Sequence, residues 1–271
     1  MIKVFDFYAD QPRATLQCFR DEQGARGIAR YLVLDPLTDP RAISKAEVDD
    51  AHSLGMSVHF FFEMNPRYVG YFTHDRGVAD CQAAISHLDR LGAPRGTVAY
   101  FAVDAPAGTI PPAAIVPYFN GVEEVGQASG GRVVPGIYGY EAHVEFARAN
   151  FPNVGKHLAQ TYGTPRGPLD LWQHEQINDA CGVVVDVDDC TVPGWEPEGG
   201  LLVAITRAQY IEKDSATGLS LEDLVKATHR AVYAAEIAPA LEDEINQRVA
   251  AGEQDAIAKA IKAVGQRLVA P

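Results

Sequence analysis

Three aspartates stand at the ends of short apolar runs that read as strands. Asp6 follows Ile2-Lys-Val-Phe5, Asp104 closes Thr97-Val-Ala-Tyr-Phe-Ala-Val103, and Asp186 closes Gly182-Val-Val-Val185. Glu63 ends a fourth run, His59-Phe-Phe-Phe62. A carboxylate at the C-terminal end of a buried parallel strand faces the rim where α/β proteins bind ligands. Carboxyl groups converging there suit glycosidic bond cleavage. That reaction needs an acid to protonate the leaving oxygen and a second carboxylate as nucleophile, base or stabiliser of the developing cation. Asp104 and Asp186 are the central candidates for catalysis, Asp6 an orienting or electrostatic group, and Glu63 the reserve acid. Each also has a plainer reading. An Asp at a strand end can cap the next helix or brace a turn, and Glu63 can pair with Arg67 or Arg30. Recurrence at equivalent strand ends favours one shared pocket.

Tyr100, Tyr138, Tyr140, Trp172 and His174 lie on or just after strand-like runs. Aromatic faces stack on sugar rings, which makes Tyr100, Tyr138, Trp172 and His174 candidate substrate-binding residues, although core packing explains buried Tyr and Trp equally well. His59 and His174 form no HxH or HExxH pattern, so neither a metal nor another cofactor is expected. There is no GxSxG elbow and no phosphate-binding Gly-rich loop, which disfavours serine hydrolysis and nucleotide hydrolysis.

These residues need a frame. The expected strands are Ile2–Tyr8, Ala29–Leu34, Met56–Phe62, Thr97–Val103, Val133–Tyr138, His157–Tyr162, Leu169–His174 and Gly182–Val187, mostly β-branched or aromatic and bounded by Gly, Pro or Asp. Helical stretches separate several of them. Ser44–Leu54 opens with a capping box formed by Ser44 and Glu47. Gly77–Leu91 aligns Val78, Cys81, Ile85 and Leu88 on one face, Pro111–Gly126 begins with prolines suited to a helix start, and Glu141–Asn150 is shorter. This order predicts an α/β fold, a TIM-like (β/α)8 barrel with shortened last units, over residues 1–198. Residues 199–271 change character to Ala-rich, charged, helix-periodic sequence. They are expected to form a C-terminal α-helical extension that packs on the barrel, bundles by itself or makes a homo-oligomer.

The chain has 271 residues and a net charge of −13, from 23 Lys and Arg against 36 Asp and Glu. That balance argues against nucleic acid as a partner. No run is apolar and long enough to span a membrane. The first residues enter a strand directly and lack the basic and apolar regions of a signal peptide, so a cytoplasmic or virion-associated location is expected. Cys18, Cys81, Cys181 and Cys190 form no CxxC pair, and a strand between Cys181 and Cys190 would hold those two apart. Four free thiols are expected.

The motifs together resemble the glycoside hydrolase-like family DUF1906, which is related to the lysozyme-like muramidases of glycoside hydrolase family 25. The resemblance rests on Phe5-Asp6, Arg30-Tyr31 with Leu37-Thr38 and Ala46-Glu47, and Tyr71-Phe72-Thr73 with Gly77-Val-Ala-Asp80. Tyr100-Phe-Ala-Val-Asp104 is the most specific match. Gly136-Ile-Tyr-Gly139, Trp172-Gln173 and Val185-Asp186 complete the series. It covers about residues 1–190. It implies a barrel directed at bacterial cell-wall glycan, peptidoglycan, of the kind found in actinobacterial envelope and phage proteins. It further implies an Asp-x-Glu pair after the fourth strand. Here the second acid is replaced by Pro106. Either another carboxylate such as Glu63 takes its place, or the barrel is a non-catalytic glycan-binding or structural module assembled through its C-terminal helices.

Overall fold

A computed structural model of the protein describes residues 1–192 and 194–196. The expected C-terminal helices of residues 199–271 lie outside these. The described residues form a closed eight-stranded barrel with strands in chain order. The strands are β1 (Ile2–Asp6), β2 (Gly27–Leu32), β3 (Ser57–Phe62), β4 (Thr97–Val103), β5 (Val133–Gly139), β6 (Leu158–Thr161), β7 (Leu171–Ala180) and β8 (Val183–Cys190). The helices are α1 (Arg13–Asp21), α2 (Lys45–Ser53), α3 (His74–Leu91), α4 (Val116–Ala128) and α5 (Glu141–Asn150). The expected TIM-like α/β barrel is therefore present.

Side chains alternate across each strand. Val4, Ala29, Phe61, Tyr100, Ala102, Tyr138, Ala159, Leu171 and Cys190 fill the barrel interior. Their neighbours Phe5, Ile28, Phe60, Phe62, Phe101, Val103 and Ile137 face the helices and join the outer core. Gly136 leaves room inside: a Cβ there would meet the Tyr100 ring at 2.8 Å.

The helices follow their caps. Ser44 Oγ accepts from the Glu47 amide at 3.1 Å, as the capping box predicts. Helix α3 opens three residues earlier than expected, where Thr73 Oγ1 accepts from the Arg76 amide, and ends at Gly92 with φ 74°. Its buried face runs through Gly77, Asp80, Cys81, Ala84, His87 and Leu88, which leaves Val78 and Ile85 at the margin. The physical reason is a close helix crossing. A Cβ on Gly77 would collide with the Tyr118 carbonyl oxygen, and one on Gly121 with that of His74. Asp80 seals the crossing by accepting from Tyr71 and Tyr118 hydroxyls at 2.5 and 2.9 Å.

Below the first loop, fully buried Arg30 donates to Glu47 Oε2 at 2.9 Å, Phe7 O at 2.5 Å and Asp10 Oδ1 at 3.0 Å, and its guanidinium lies 4.8 Å from the Phe7 ring. A planar fork with separate acceptors locks β2, α2 and the β1–α1 loop together.

The last units depart from βα repetition. No helix separates β6 from β7, and Cys181-Gly182, with φ of 55° and 85°, turn the chain tightly back so that β8 runs antiparallel to β7 and also to β1. Asp186, expected at the end of a parallel strand, is thus the fourth residue of an antiparallel one. It reaches the rim because β8 starts there. The same hairpin corrects the cysteine expectation: Cys181 in its turn is disulfide-bonded to Cys18 of α1, while Cys81 and Cys190 are buried free thiols. Barrel closure brings together residues 163 apart, which spacing alone does not show.

Two outcomes follow for stability. A cross-link over so long a loop contributes about 2–4 kcal/mol, so replacing both Cys18 and Cys181 by Ser lowers the unfolding midpoint by roughly 5–15 °C. A midpoint unchanged within about 1 °C would show that the bond does not constrain the unfolded chain. Gly77→Ala forces α3 from α4 and costs about 2 kcal/mol, measured by urea denaturation; a neutral result would contradict the close crossing.

Candidate functional site

At the C-terminal end of the parallel strands, interior alternation carries Asp6, Glu63 and Asp104 to one mouth. β8 adds Asp186 and Asp188. In the β1–β8 ladder Asp186 pairs with Asp6 and Asp188 with Val4. Paired residues share a face, as do residues two apart, so Asp188 lies one layer beneath Asp186 and Asp6, at the floor. Asp6 is 3% and Asp188 1% exposed, while Glu63, Asp104 and Asp186 are half-buried.

Their partners differ. Asp104 Oδ2 accepts from Arg67 Nε at 3.0 Å, and its carbonyl from the same nitrogen at 3.1 Å. Arg67, 76% exposed in its side chain, reaches in from the β3–α3 loop. Asp186 Oδ1 accepts from the Gln176 amide at 3.0 Å, and Asp6 Oδ2 from the Tyr31 hydroxyl at 3.2 Å. Asp6 Oδ1 and both oxygens of Asp188 are buried without a protein partner among the described residues. Glu63 pairs with neither Arg67 nor Arg30; Arg41 donates to its backbone carbonyl at 2.7 Å.

Burial and mutual repulsion shape the protonation of this cluster. Burial pushes Asp188 up to about 8, with Asp186 and Asp189 adding to the rise. Glu63 is pushed up to about 7 by burial and by Asp104. Asp6 stands well above the usual carboxylate range through burial, then Asp188, Asp186 and Glu63. Asp186 is raised by burial and by Asp104, against the Gln176 hydrogen bond. Asp6 thus responds to Asp188, Asp186 and Glu63, and Glu63 and Asp186 to Asp104, which places these carboxyls around a single mouth. Near neutrality such a cluster offers protonated and ionised carboxyls side by side, which acid–base chemistry requires.

The aromatic candidates separate. Tyr138 lies inside the barrel beneath the rim, 4.7 Å from the Phe61 ring, and its hydroxyl donates to Gln173 Oε1 at 2.9 Å. Tyr100 is deeper. Its hydroxyl donates to Asp170 Oδ2 at 2.9 Å at the opposite end, where His157 Nδ1 also meets that oxygen at 3.0 Å. Trp172 and His174 alternate with interior Leu171 and Gln173 and so face away from the acids. Trp172 Nε1 donates to Gly163 O at 3.1 Å, and the His174 ring lies 4.9 Å from that of Trp172 and 3.5 Å from Asp189. The rings that do flank the mouth are Tyr140 and Tyr162, with centroids 6.4 Å apart. Tyr162 is 48% exposed, and its phenol is raised by burial and by Asp186, Tyr140 and Asp104.

His59 also lies at the far end, where Ser57 Oγ is 3.3 Å and Cys190 Sγ 3.8 Å from its Nε2. Burial lowers it to about 4, so it is neutral. It lines a cavity of about 120 Å³ with Pro94, Gly96, Tyr100 and Trp195, remote from the acids. Among the described residues no three His, Cys, Asp or Glu side chains are placed to hold a metal ion, and no helix is long and apolar enough to cross a membrane.

Sequence reasoning missed Asp188 and Tyr162, while Tyr31 and Gln173 stood in its motifs without a place at the mouth. Asp188 carried a signal, since Asp186, Asp188 and Cys190 share one face once the strand is extended beyond Val187. Tyr162 carried none, because its place depends on a left-handed backbone, φ 51°.

The chain is similar to several solved structures. The Tat-secreted protein Rv2525c of Mycobacterium tuberculosis, in complex with L-tartrate, matches with a TM-score of 0.57 and 20% identity over 72% of this chain and 98% of that one. An uncharacterized B. stearothermophilus protein matches with a TM-score of 0.51 and 19% identity over 70% of this chain and 96% of that one. The modular autolysin LytC of Streptococcus pneumoniae gives a TM-score of 0.48 and 14% identity over 69% of this chain and 46% of that one. No curated protein matches. The sequence itself matches a family model over residues 17–190, and the chain belongs to the Rv2525c-like, glycoside hydrolase-like domain family.

Proposed function

We propose that the acidic mouth binds bacterial cell-wall glycan and cleaves a glycosidic bond there. The observation that carries this reading is the convergence of five carboxyls, one of them Glu63 with a proton affinity near neutrality, at the rim of a glycoside hydrolase-like barrel. Glu63 supplies the proton to the leaving oxygen. Asp104, held by Arg67, and Asp186 face the developing positive charge at the sugar carbon, and Asp6 and Asp188 shape the field beneath. Tyr140 and Tyr162 offer ring faces for stacking a pyranose.

A second reading has its own support. Arg67 occupies a carboxylate oxygen of Asp104, and Pro106 stands where the resemblance implies the second acid. Both suit a barrel that holds glycan without cutting it.

Purified peptidoglycan separates the two. Wild type sediments with it and releases reducing ends, with a rate that falls as pH rises above about 7 because the acid loses its proton. Glu63→Gln and Asp104→Asn each lower the rate about 100-fold or more and still sediment. Sedimentation without release selects the binding-only reading, full activity in Glu63→Gln removes its role as acid, and no sedimentation removes the glycan reading.

The raised carboxyls also set the pH dependence of stability. A carboxyl whose folded pKa lies above its unfolded value favours folding less as pH rises from the unfolded pKa to the folded one. With Glu63 near 7 and Asp188 near 8, stability declines from mildly acidic pH to about 8. Asp188→Asn removes part of that decline. It raises the thermal midpoint at pH 8 by roughly 4 °C or more relative to its effect at pH 5; equal effects at both pH values would contradict a buried, proton-holding Asp188.

A further inference from the structure

Among the described residues, most acids of the mouth are in ion-pair contact with no cation. Arg67 is held by Asp104, Arg41 by Asp39, and Arg30 by Glu47 and Asp10. Each of these arginines already has an acid. Asp6, Glu63, Asp186 and Asp188 are left without a cationic partner among the described residues. Asp186 and Asp6 each accept one neutral donor, from Gln176 and Tyr31. Asp6 Oδ1 and both Asp188 oxygens accept nothing from the described residues, although all three are buried. A buried acceptor without a donor costs on the order of 1–3 kcal/mol, and such an atom in a native fold calls for an explanation, a missing ligand donor among them. Asp188 shares its face of β8 with Asp186 and lies beneath it. Its oxygens therefore border the floor of the mouth.

Resting on the glycan reading above, the geometry points to a sugar bearing a free, protonated amine as the preferred ligand, a glucosamine unit whose nitrogen is not acetylated. Its ammonium sits between Asp188, Asp6 and Asp186. An ammonium presents three donors and a positive charge to oxygens that lack both, and its charge favours the ionised forms of Asp188 and Asp6, releasing the protons they hold in the free protein. An acetamido group presents one N–H and a carbonyl oxygen, which would set acceptor against acceptor. A sugar carboxylate would be repelled outright. A metal ion is a poorer fit, because it requires three or more ligand atoms drawn to one point, and no such group exists among the described residues. An ammonium tolerates acceptors spread over two layers. Tyr140 and Tyr162 at the rim give the ring of such a sugar its apolar contact.

Isothermal titration of the full chain at pH 7 tests this, with a β-1,4-linked glucosamine tetramer and its fully N-acetylated counterpart. Wild type binds the free-amine tetramer about tenfold or more tightly than the acetylated one. Asp188→Asn loses about tenfold in affinity for the amine and lowers the ratio of the two affinities about fivefold or more. Asp6→Asn serves as a second variant, and a cooperative thermal transition confirms that each is folded. Equal or tighter binding of the acetylated tetramer overturns the inference and leaves the glycan reading standing. Tighter amine binding that neither variant weakens also overturns it, because the attraction is then that of the chain's general negative charge. Failure to bind either tetramer overturns the inference, while sedimentation with peptidoglycan decides the glycan reading separately.

Discussion

Closure of the barrel by an antiparallel strand is the constraint on which the rest of the structure depends. A ring of parallel strands built from βα units would bring one strand end after another to the rim. Here the chain omits the last crossover and turns back at Cys181-Gly182, so β8 meets both neighbours antiparallel. A strand that starts at the rim, rather than ending there, places its early residues level with the ends of the others. That polarity sets Asp186 opposite Asp6 and drops Asp188 into the layer below. It also carries Cys181 to α1, where the disulfide pins the hairpin to the first βα unit.

The barrel interior is stratified as a result. Carboxyls crowd the mouth, an aromatic and aliphatic layer of Phe61, Tyr138, Ala102 and Tyr100 separates the ends, and Asp170 with His157 and neutral His59 occupies the base. The two polar ends are satisfied very differently. At the base Asp170 receives donors from Tyr100 and His157. In the mouth Asp188 and one oxygen of Asp6 receive none among the described residues. Buried acids without donors destabilise a fold. Their concentration at the rim where such barrels bind ligands is the observation from which the proposed ligand site is argued.

The outer layer supplies the rigidity that lets this imbalance persist. Glycine-mediated contact between α3 and α4, the Asp80 bridge to two tyrosines, and the Arg30 fork each fix a helix to the wall behind the mouth. Buried ion pairs add little net stability against apolar packing, but breaking one is costly. Arg30 therefore acts chiefly to specify how the loop after β1 is seated, and with it the strand that ends in Asp6.

The sequence alone was enough to show eight short strands with helical crossovers, the capping box at Ser44, and the three strand ends that carry Asp6, Glu63 and Asp104. Local periodicity and turn chemistry encode these directly, because each depends on residues within a few positions. The direction of β8, the pairing of Cys18 with Cys181, the descent of Asp188 to the floor and the outward turn of Trp172 and His174 were decided only in three dimensions. The stretch Glu175–Asn178 is polar apart from Ile177 and largely exposed, so it gives little sign that β7 continues. Once a strand's length and direction depend on the strand it pairs with, side-chain facing becomes a property of the ladder rather than of the sequence. For that reason Asp6, Glu63, Asp104 and Asp186 could be named from the chain, while Asp188, Tyr162, and the partners and layers of all of them could be read only from the closed barrel.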